Sequence, residues 1–97
     1  MRVGSVIGKV VLSEALPELK GARWLIVSPL DRETLKAPWE EGLSGEETTV
    51  VYDHLGAGQG DVVGFSEGGE ATRPFDHPMP IDSYNAVILD HLEYKPN

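Results

Sequence analysis

The sequence predicts an all-β fold, a small closed OB-like β-barrel of about five to six strands with at most one short helix. Three observations lead to this prediction: short apolar segments rich in Val and Ile, Gly and Pro turn signals between them, and no long helical periodicity. Many short strands separated by turns are typical of a barrel or a sandwich. With 97 residues, the chain is expected to form a single domain over residues 1–97.

Five segments are predicted to form the strands of this barrel, because each is dominated by apolar or β-branched residues. In chain order they span residues 2–13, 23–30, 48–52, 61–66 and 85–92. Strict alternation along the first segment places Gly4, Val6 and Gly8 on one face and Lys9 on the other. Residues 67–73 are expected to form one short helical turn, and residues 31–47 a long exposed connection.

The residue composition excludes several kinds of protein. The chain has 8 Lys and Arg against 16 Asp and Glu, and its formal net charge of -8 does not favour nucleic acid or an anionic membrane as partner. It contains no cysteine, which excludes disulfides, thiolate metal sites and a cysteine nucleophile. No apolar run approaches the roughly 20 residues of a membrane-spanning helix. We therefore expect a soluble, cytoplasmic protein without a cofactor.

A glycine-rich loop between the third and fourth predicted strands is the most distinctive local feature. A nucleotide-binding glycine loop runs from a strand into the N-terminus of a helix, whereas here the chain continues as a strand. The pattern therefore does not predict a phosphate cradle, and instead indicates close backbone packing where larger side chains do not fit. The residues concerned are Gly56, Ala57, Gly58, Gln59 and Gly60.

Two further patterns resemble catalytic or metal sites. Residues 64–68 match G-x-S-x-G around Ser66, but that nucleophile elbow needs a strand-to-helix turn on a large α/β sheet. The histidines His54, His77 and His91 each follow an aspartate, yet neighbouring residues on a strand point to opposite faces and the spacing does not make the three pairs converge. We expect Ser66 at a strand end, no metal site and no enzymatic activity, while a pH-sensitive interface through the histidines stays open.

Acidic residues and tryptophans mark the long connection. Its glutamates lack the spacing of a calcium-binding loop and are predicted to be solvated. They are Glu40, Glu41, Glu46 and Glu47. Trp24 lies in an apolar segment and is expected in the core, whereas Trp39 lies in the connection and is a candidate for contact with a neighbouring chain.

Four segments, in this order and at these distances, carry a resemblance to a known family. They read RVGSVIGKVV at residues 2–11, LKGARWL at 19–25, YDHLGAGQGD at 52–61 and PIDSYNAVILD at 80–90. Together they resemble the EutN/CcmL family, the vertex proteins of bacterial microcompartment shells, over almost the whole chain. Departures from the commoner family pattern at residues 68–73 and 82–85 favour a compartment that degrades sugars such as fucose or rhamnose over a carboxysome.

The resemblance implies a cyclic homopentamer that caps a vertex of a polyhedral shell and seals it around encapsulated enzymes. It implies hexameric and pseudohexameric shell proteins as partners, no cofactor and no catalysis. By the same resemblance, residues 56–60 would lie toward the fivefold axis. The candidate subunit or shell contacts are Gly4, Gly8, Trp39, Arg73 and Asp82.

Two other functions stay open at this stage. An OB-like barrel can bind an oligonucleotide or oligosaccharide, but binders of single strands expose aromatic rings in a basic groove. The two Trp, three Tyr and two Phe are scattered through an acidic chain and do not predict such a groove. A small hydrolase or metal-dependent enzyme would have to rely on Ser66 or the histidines.

Overall fold

Five β-strands close into a barrel. The computed structural model describes residues 1–12, 15–19, 21–40 and 43–95. In chain order the strands are β1 (Arg2–Val10), β2 (Arg23–Pro29), β3 (Thr49–Asp53), β4 (Val62–Glu67) and β5 (Ser83–Leu89). Helical structure in the described ranges consists of three short 3-10 turns, Pro17–Leu19, Thr34–Lys36 and Gly68–Thr72. The all-β prediction is confirmed, and no helix among the described residues is long and apolar enough to span a membrane.

The strand order around the barrel is β1-β2-β3-β5-β4, and β4 returns to β1. All neighbouring pairs are antiparallel except β3 and β5, which run parallel and meet at Tyr52 and Tyr84. Every strand therefore has two neighbours. The contact between β3 and β5 is short, so residues 49–51 of β3 pair only with β2 and residues 85–89 of β5 pair only with β4.

Strand ends differ from the predicted ones because a strand ends where its partner does. β1 ends at Val10, opposite Trp24 at the start of β2, so Val11 and Leu12 continue outside the strand. Ser13, the last residue of the predicted first strand, lies outside the described residues. β5 ends at Leu89, opposite Val62 at the start of β4, rather than at Leu92.

A β-bulge in β1 overturns the predicted alternation of its faces. Val6 is opposite Val27, but Gly8 is opposite Ile26, so Ile7 is the extra residue. Beyond the bulge, Lys9 lies opposite Leu25, and directly paired residues point to the same side of a sheet. Lys9 therefore shares the inward face with Leu25, and the prediction that Gly8 continues the face of Gly4 and Val6 is wrong.

The barrel interior is filled by small and medium apolar side chains. The central cluster consists of Val6, Leu25, Val27, Val51, Ala57, Val63 and Phe65. Gly4 lies buried against this cluster, because a Cβ atom there would collide with Val27 Cγ1 and lie 3.1 Å from Phe65 Cε1. The absence of a side chain at Gly4 is thus required by packing within the subunit.

The connection over residues 31–47 packs against the barrel more closely than predicted. Thr34 and Pro38 are buried, and the Ser5 hydroxyl donates a hydrogen bond to the Pro38 carbonyl at 3.0 Å. The Ser44 hydroxyl donates to the carbonyl of Pro29 at the end of β2. The prediction of an exposed connection is therefore wrong for part of its length, because hydrogen bonds at Pro38 and Ser44 hold it to β1 and β2.

Candidate functional site

The glycine loop, residues 54–60, lies at one end of the barrel between β3 and β4. Ala57 is fully buried and belongs to the core cluster, whereas Gly56, Gln59 and Gly60 are exposed. Ala57 thus packs into the end of the barrel and anchors the loop there.

A buried carboxylate fixes the first half of the loop. Asp53, 1% exposed, accepts backbone N–H groups of Leu55, Gly56 and Ala57, each at 3.0 Å. Its Oδ1 also accepts the side-chain amide of buried Asn85 on β5 at 2.9 Å. These four hydrogen-bond donors replace the water that the carboxylate loses on burial, and so offset the free-energy cost of burying it.

Arg23, at the start of β2, joins the same arrangement from the rim of the barrel. Its Nη2 donates to the Ala57 carbonyl at 3.0 Å, and its Nη1 lies 3.8 Å from Asp53 Oδ2. Gly56 has a φ of 85°, and a Cβ atom there would lie 3.3 Å from Arg23 Nη1. Backbone conformation and the guanidinium group therefore both favour glycine at position 56.

The second half of the loop is held by β1 and by Asp61. The Gly60 N–H donates to the Val6 carbonyl at 3.0 Å, and the Asp61 side chain accepts the Gly58 N–H at 2.8 Å. Gly60 has a φ of 95°, which favours glycine, whereas Gly58 has no left-handed φ and a Cβ atom there would meet nothing within 4 Å. No contact with the described residues therefore requires glycine at position 58.

Sequence reasoning found the loop but missed the residues that hold it. Asp53 had a local signal, because an aspartate before a turn commonly accepts the N–H groups that follow it. Asn85 and Arg23 had none, since Asn85 reaches Asp53 across 32 residues of sequence and Arg23 reaches Ala57 across 34.

The five candidate contact residues are dispersed over several elements. Gly4 is buried inside the barrel, Gly8 lies beside the bulge, and Trp39 is exposed in the connection. Arg73 and Asp82 are both exposed, and the Asp82 carbonyl accepts the N–H of the residue that begins the turn Gly68–Thr72, next to Arg73. A contact role for these residues stays a prediction.

The residues of the enzyme hypotheses do not assemble into a site. Ser66 is the last but one residue of β4, as predicted, and a short 3-10 turn follows. Asp53, the last residue of β3, is buried, while His54, the first residue of the loop, is exposed, so these two side chains lie apart. The exposed glutamates include Glu46, whose carboxylate lies 3.8 Å from Arg2, while Glu41 lies outside the described residues.

Asp76 and His77, in contrast, are in direct contact. They lie in a loop rather than a strand, and His77 Nδ1 is 2.8 Å from Asp76 Oδ1. The side-chain hydrogen bond with His77 holds the pKa of Asp76 below its usual range. Across the described ranges, no three His, Cys, Asp or Glu side chains are grouped so that they could bind a metal.

Aromatic side chains form a cluster around Tyr52, which is 7% exposed. Its ring packs edge-on against Trp24 and Phe75, with centroids 5.3 and 5.4 Å away, and its hydroxyl lies 2.6 Å from His54 Nε2. Burial raises the pKa of Tyr52, and the neighbouring Tyr84 adds to this effect. Because these rings pack on one another, their faces are not arranged as stacking platforms for a single strand.

Comparison with known proteins places the chain in a family. The family model described as "Ethanolamine utilisation protein EutN/carboxysome" matches residues 1–90. The chain belongs to the EutN/CcmL family.

Two relatives show what kind of protein the chain is similar to. It is 33% identical over 91 residues to the carboxysome shell vertex protein CcmL of Synechococcus elongatus, covering 93% of this chain and 84% of that protein. It is 34% identical over 95 residues to the bacterial microcompartment shell vertex protein GrpN of Rhodospirillum rubrum, covering 96% of this chain and 97% of that protein. The solved structure of the pentameric GrpN shell protein superimposes with a TM-score of 0.77 at 32% identity and covers 98% of this chain and 100% of that one.

Proposed function

We propose that this protein is a structural vertex subunit of a bacterial microcompartment shell, assembling as a cyclic homopentamer. The observation that carries the proposal is the match to a pentameric shell protein over 98% of this chain and 100% of the other, on the same barrel. Both relatives are named as shell vertex proteins. The subunit would sit among hexameric and pseudohexameric shell proteins in the cytoplasm, with no catalytic role of its own.

Apolar side chains on the surface of the subunit support an assembly. They are Val11, Leu12, Leu16, Trp39, Leu43, Val50, Leu55 and Ile88. A groove of about 750 Å³ lies between residues 9–12 and 19–24, with Val10, Leu12 and Trp24 among its lining residues. A ring would join this side of one subunit to a different face of the next, and such a heterologous interface closes when the rotation between neighbours fits a whole number of copies.

We also propose that the glycine loop lies toward the fivefold axis. Support comes from Gly58, because no described neighbour within the subunit requires glycine there. If the loop lies at a fivefold axis, the same loops of four other copies would leave no room for a larger side chain at position 58.

The native mass of the purified protein tests the homopentamer. We expect one dominant species of about 53 kDa, five times the 10.6 kDa chain, in native mass spectrometry near neutral pH. A dominant monomer or dimer would contradict the vertex function and favour an OB-like binding module instead.

Replacing Gly58 by valine tests the position of the loop. The space around Gly58 predicts that Gly58→Val leaves the subunit folded, while side chains crowded at an axis would reduce the pentamer fraction in the native mass spectrum. The matched control is Gly69→Ala, because Gly69 also has open space around it but lies in the turn Gly68–Thr72. An unchanged pentamer fraction for Gly58→Val would place the loop away from the axis.

A further inference from the structure

A small groove with two cationic side chains lies at the loop end of the barrel. Its volume is about 300 Å³, and its floor is formed by buried Leu25 and Ala57. The exposed residues Lys9, Arg23 and Gln59 line it as well and form its rim. This volume lies at the lower end of the range for small-molecule sites.

The β-bulge of β1 brings Lys9 to this groove. In a regular strand without the bulge, alternation from buried Val6 through Ile7 and Gly8 would turn Lys9 away from the barrel interior. With it, Lys9 is paired with Leu25 and faces the same side as this core residue. Bulges often redirect a side chain in this way beside functional sites. Among the described residues, no carboxylate forms a salt bridge with Lys9.

Arg23 is held in place at the other side of the groove. Its Nη2 is fixed by the Ala57 carbonyl at 3.0 Å, which leaves other N–H groups of the guanidinium available. Its Nη1 forms a salt bridge of 3.8 Å with buried Asp53, whose carboxylate also accepts four hydrogen bonds from the loop and Asn85. Asp61, which follows the loop, accepts the Gly58 N–H at 2.8 Å.

We propose that this groove binds a small phosphate-type anion, either free or as the terminal group of a metabolite. The planar guanidinium of Arg23 suits two phosphate oxygens, and the Lys9 ammonium supplies a point charge. The Gln59 side-chain amide can donate to a further oxygen. In a chain with a net charge of -8, this pair of cations marks a place where an anion is attracted. The lining residues come from one subunit, and because Lys9 and Arg23 also line the larger groove proposed for the subunit contact, the ring would place a neighbouring subunit beside this site.

Calorimetric titration of the full chain with inorganic phosphate tests the proposal, in a chloride buffer of constant ionic strength. We expect saturable binding at one site per subunit and roughly tenfold weaker binding by Lys9→Gln, because one of two charge-assisted contacts is lost. Lys36→Gln is the matched control, since Lys36 pairs with Glu33 on an exposed turn. Arg23→Lys, with its fold checked by circular dichroism, should bind phosphate about fivefold more weakly, because an ammonium group cannot contact two phosphate oxygens in the way that the planar guanidinium does.

Three outcomes would overturn the anion site or its chemistry. They are no saturable heat at tens of millimolar phosphate, equal affinity of Lys9→Gln and wild type, and acetate binding as tight as phosphate. The native mass is recorded in the same buffer. Phosphate binding by a monomer would support the groove while contradicting the ring, so the two proposals can fail separately.

Discussion

At the scale of single residues, Asp53 contributes most to the shape of the glycine loop. One carboxylate binds three consecutive N–H groups and links them to Asn85 on β5. A buried acceptor of this kind is costly to lose because its donors would remain buried without partners.

We predict that Asp53→Asn lowers the free energy of unfolding by about 2–4 kcal/mol, since an amide nitrogen would face backbone N–H groups. Urea denaturation measures the change, and hydrogen exchange should be faster at residues 55–57. Asp90→Asn, at an exposed aspartate, is the control and should change stability by less than about 0.5 kcal/mol. Equal stability of both variants would show that the loop does not depend on the carboxylate.

Gly4 is the second residue whose identity the structure explains. We predict that Gly4→Ala lowers the free energy of unfolding by about 1–3 kcal/mol, because the new methyl group would collide with Val27 and crowd Phe65. Gly69→Ala, which meets open space, should be close to neutral. Thermal or urea denaturation compares the two, and a neutral Gly4→Ala would mean that β1 and β2 can move apart at low cost.

At the scale of elements, hydrogen bonds accepted by Asp31 organise the turn Thr34–Lys36. Its carboxylate accepts the Thr34 N–H and the Thr34 hydroxyl, each at 2.9 Å, and the Gly45 N–H at 3.3 Å. The backbone hydrogen bond from Thr34 is the main reason why the pKa of Asp31 is lowered from 3.8. The two ends of the connection are thereby joined through one side chain.

A lowered pKa in the folded state gives a defined pH dependence. The contribution of Asp31 is complete above its unfolded pKa near 3.8 and is lost as the pH falls through the lower folded pKa. We therefore predict that Asp31→Asn lowers the melting temperature at pH 7, and that the difference shrinks as the pH falls below 3.8. Melting curves across this range test it, with Asp90→Asn as control. A difference independent of pH would mean that the charge of Asp31 is not involved.

At the scale of the whole molecule, Trp39 is the exposed aromatic side chain best placed for a subunit contact. Trp39 is 44% exposed in a connection that is otherwise held to β1 and β2. A partly exposed tryptophan on a fixed segment is the kind of residue that dominates subunit interfaces.

If Trp39 lies between subunits, Trp39→Gln should weaken the pentamer at least tenfold per interface while leaving the stability of the subunit nearly unchanged. Native mass spectra over a dilution series measure the pentamer fraction, and urea denaturation of the dissociated chain measures the subunit. Glu40→Gln, at the neighbouring exposed residue, is the control. Identical dilution behaviour of both variants would place Trp39 outside the subunit contacts.

Local sequence patterns suffice to predict the all-β class, the five strands and the position of the glycine loop. These features depend on local signals, such as β-branched runs, turn residues and the order of short motifs, which each segment carries alone. How the loop is held depends on tertiary contacts, because Arg23 reaches Ala57 across 34 residues of sequence and Asn85 reaches Asp53 across 32. The direction in which Lys9 points is a tertiary feature as well, since the bulge in β1 exists only in its pairing with β2. Strand ends followed the same physical rule, because a strand continues only as far as its neighbour offers hydrogen bonds.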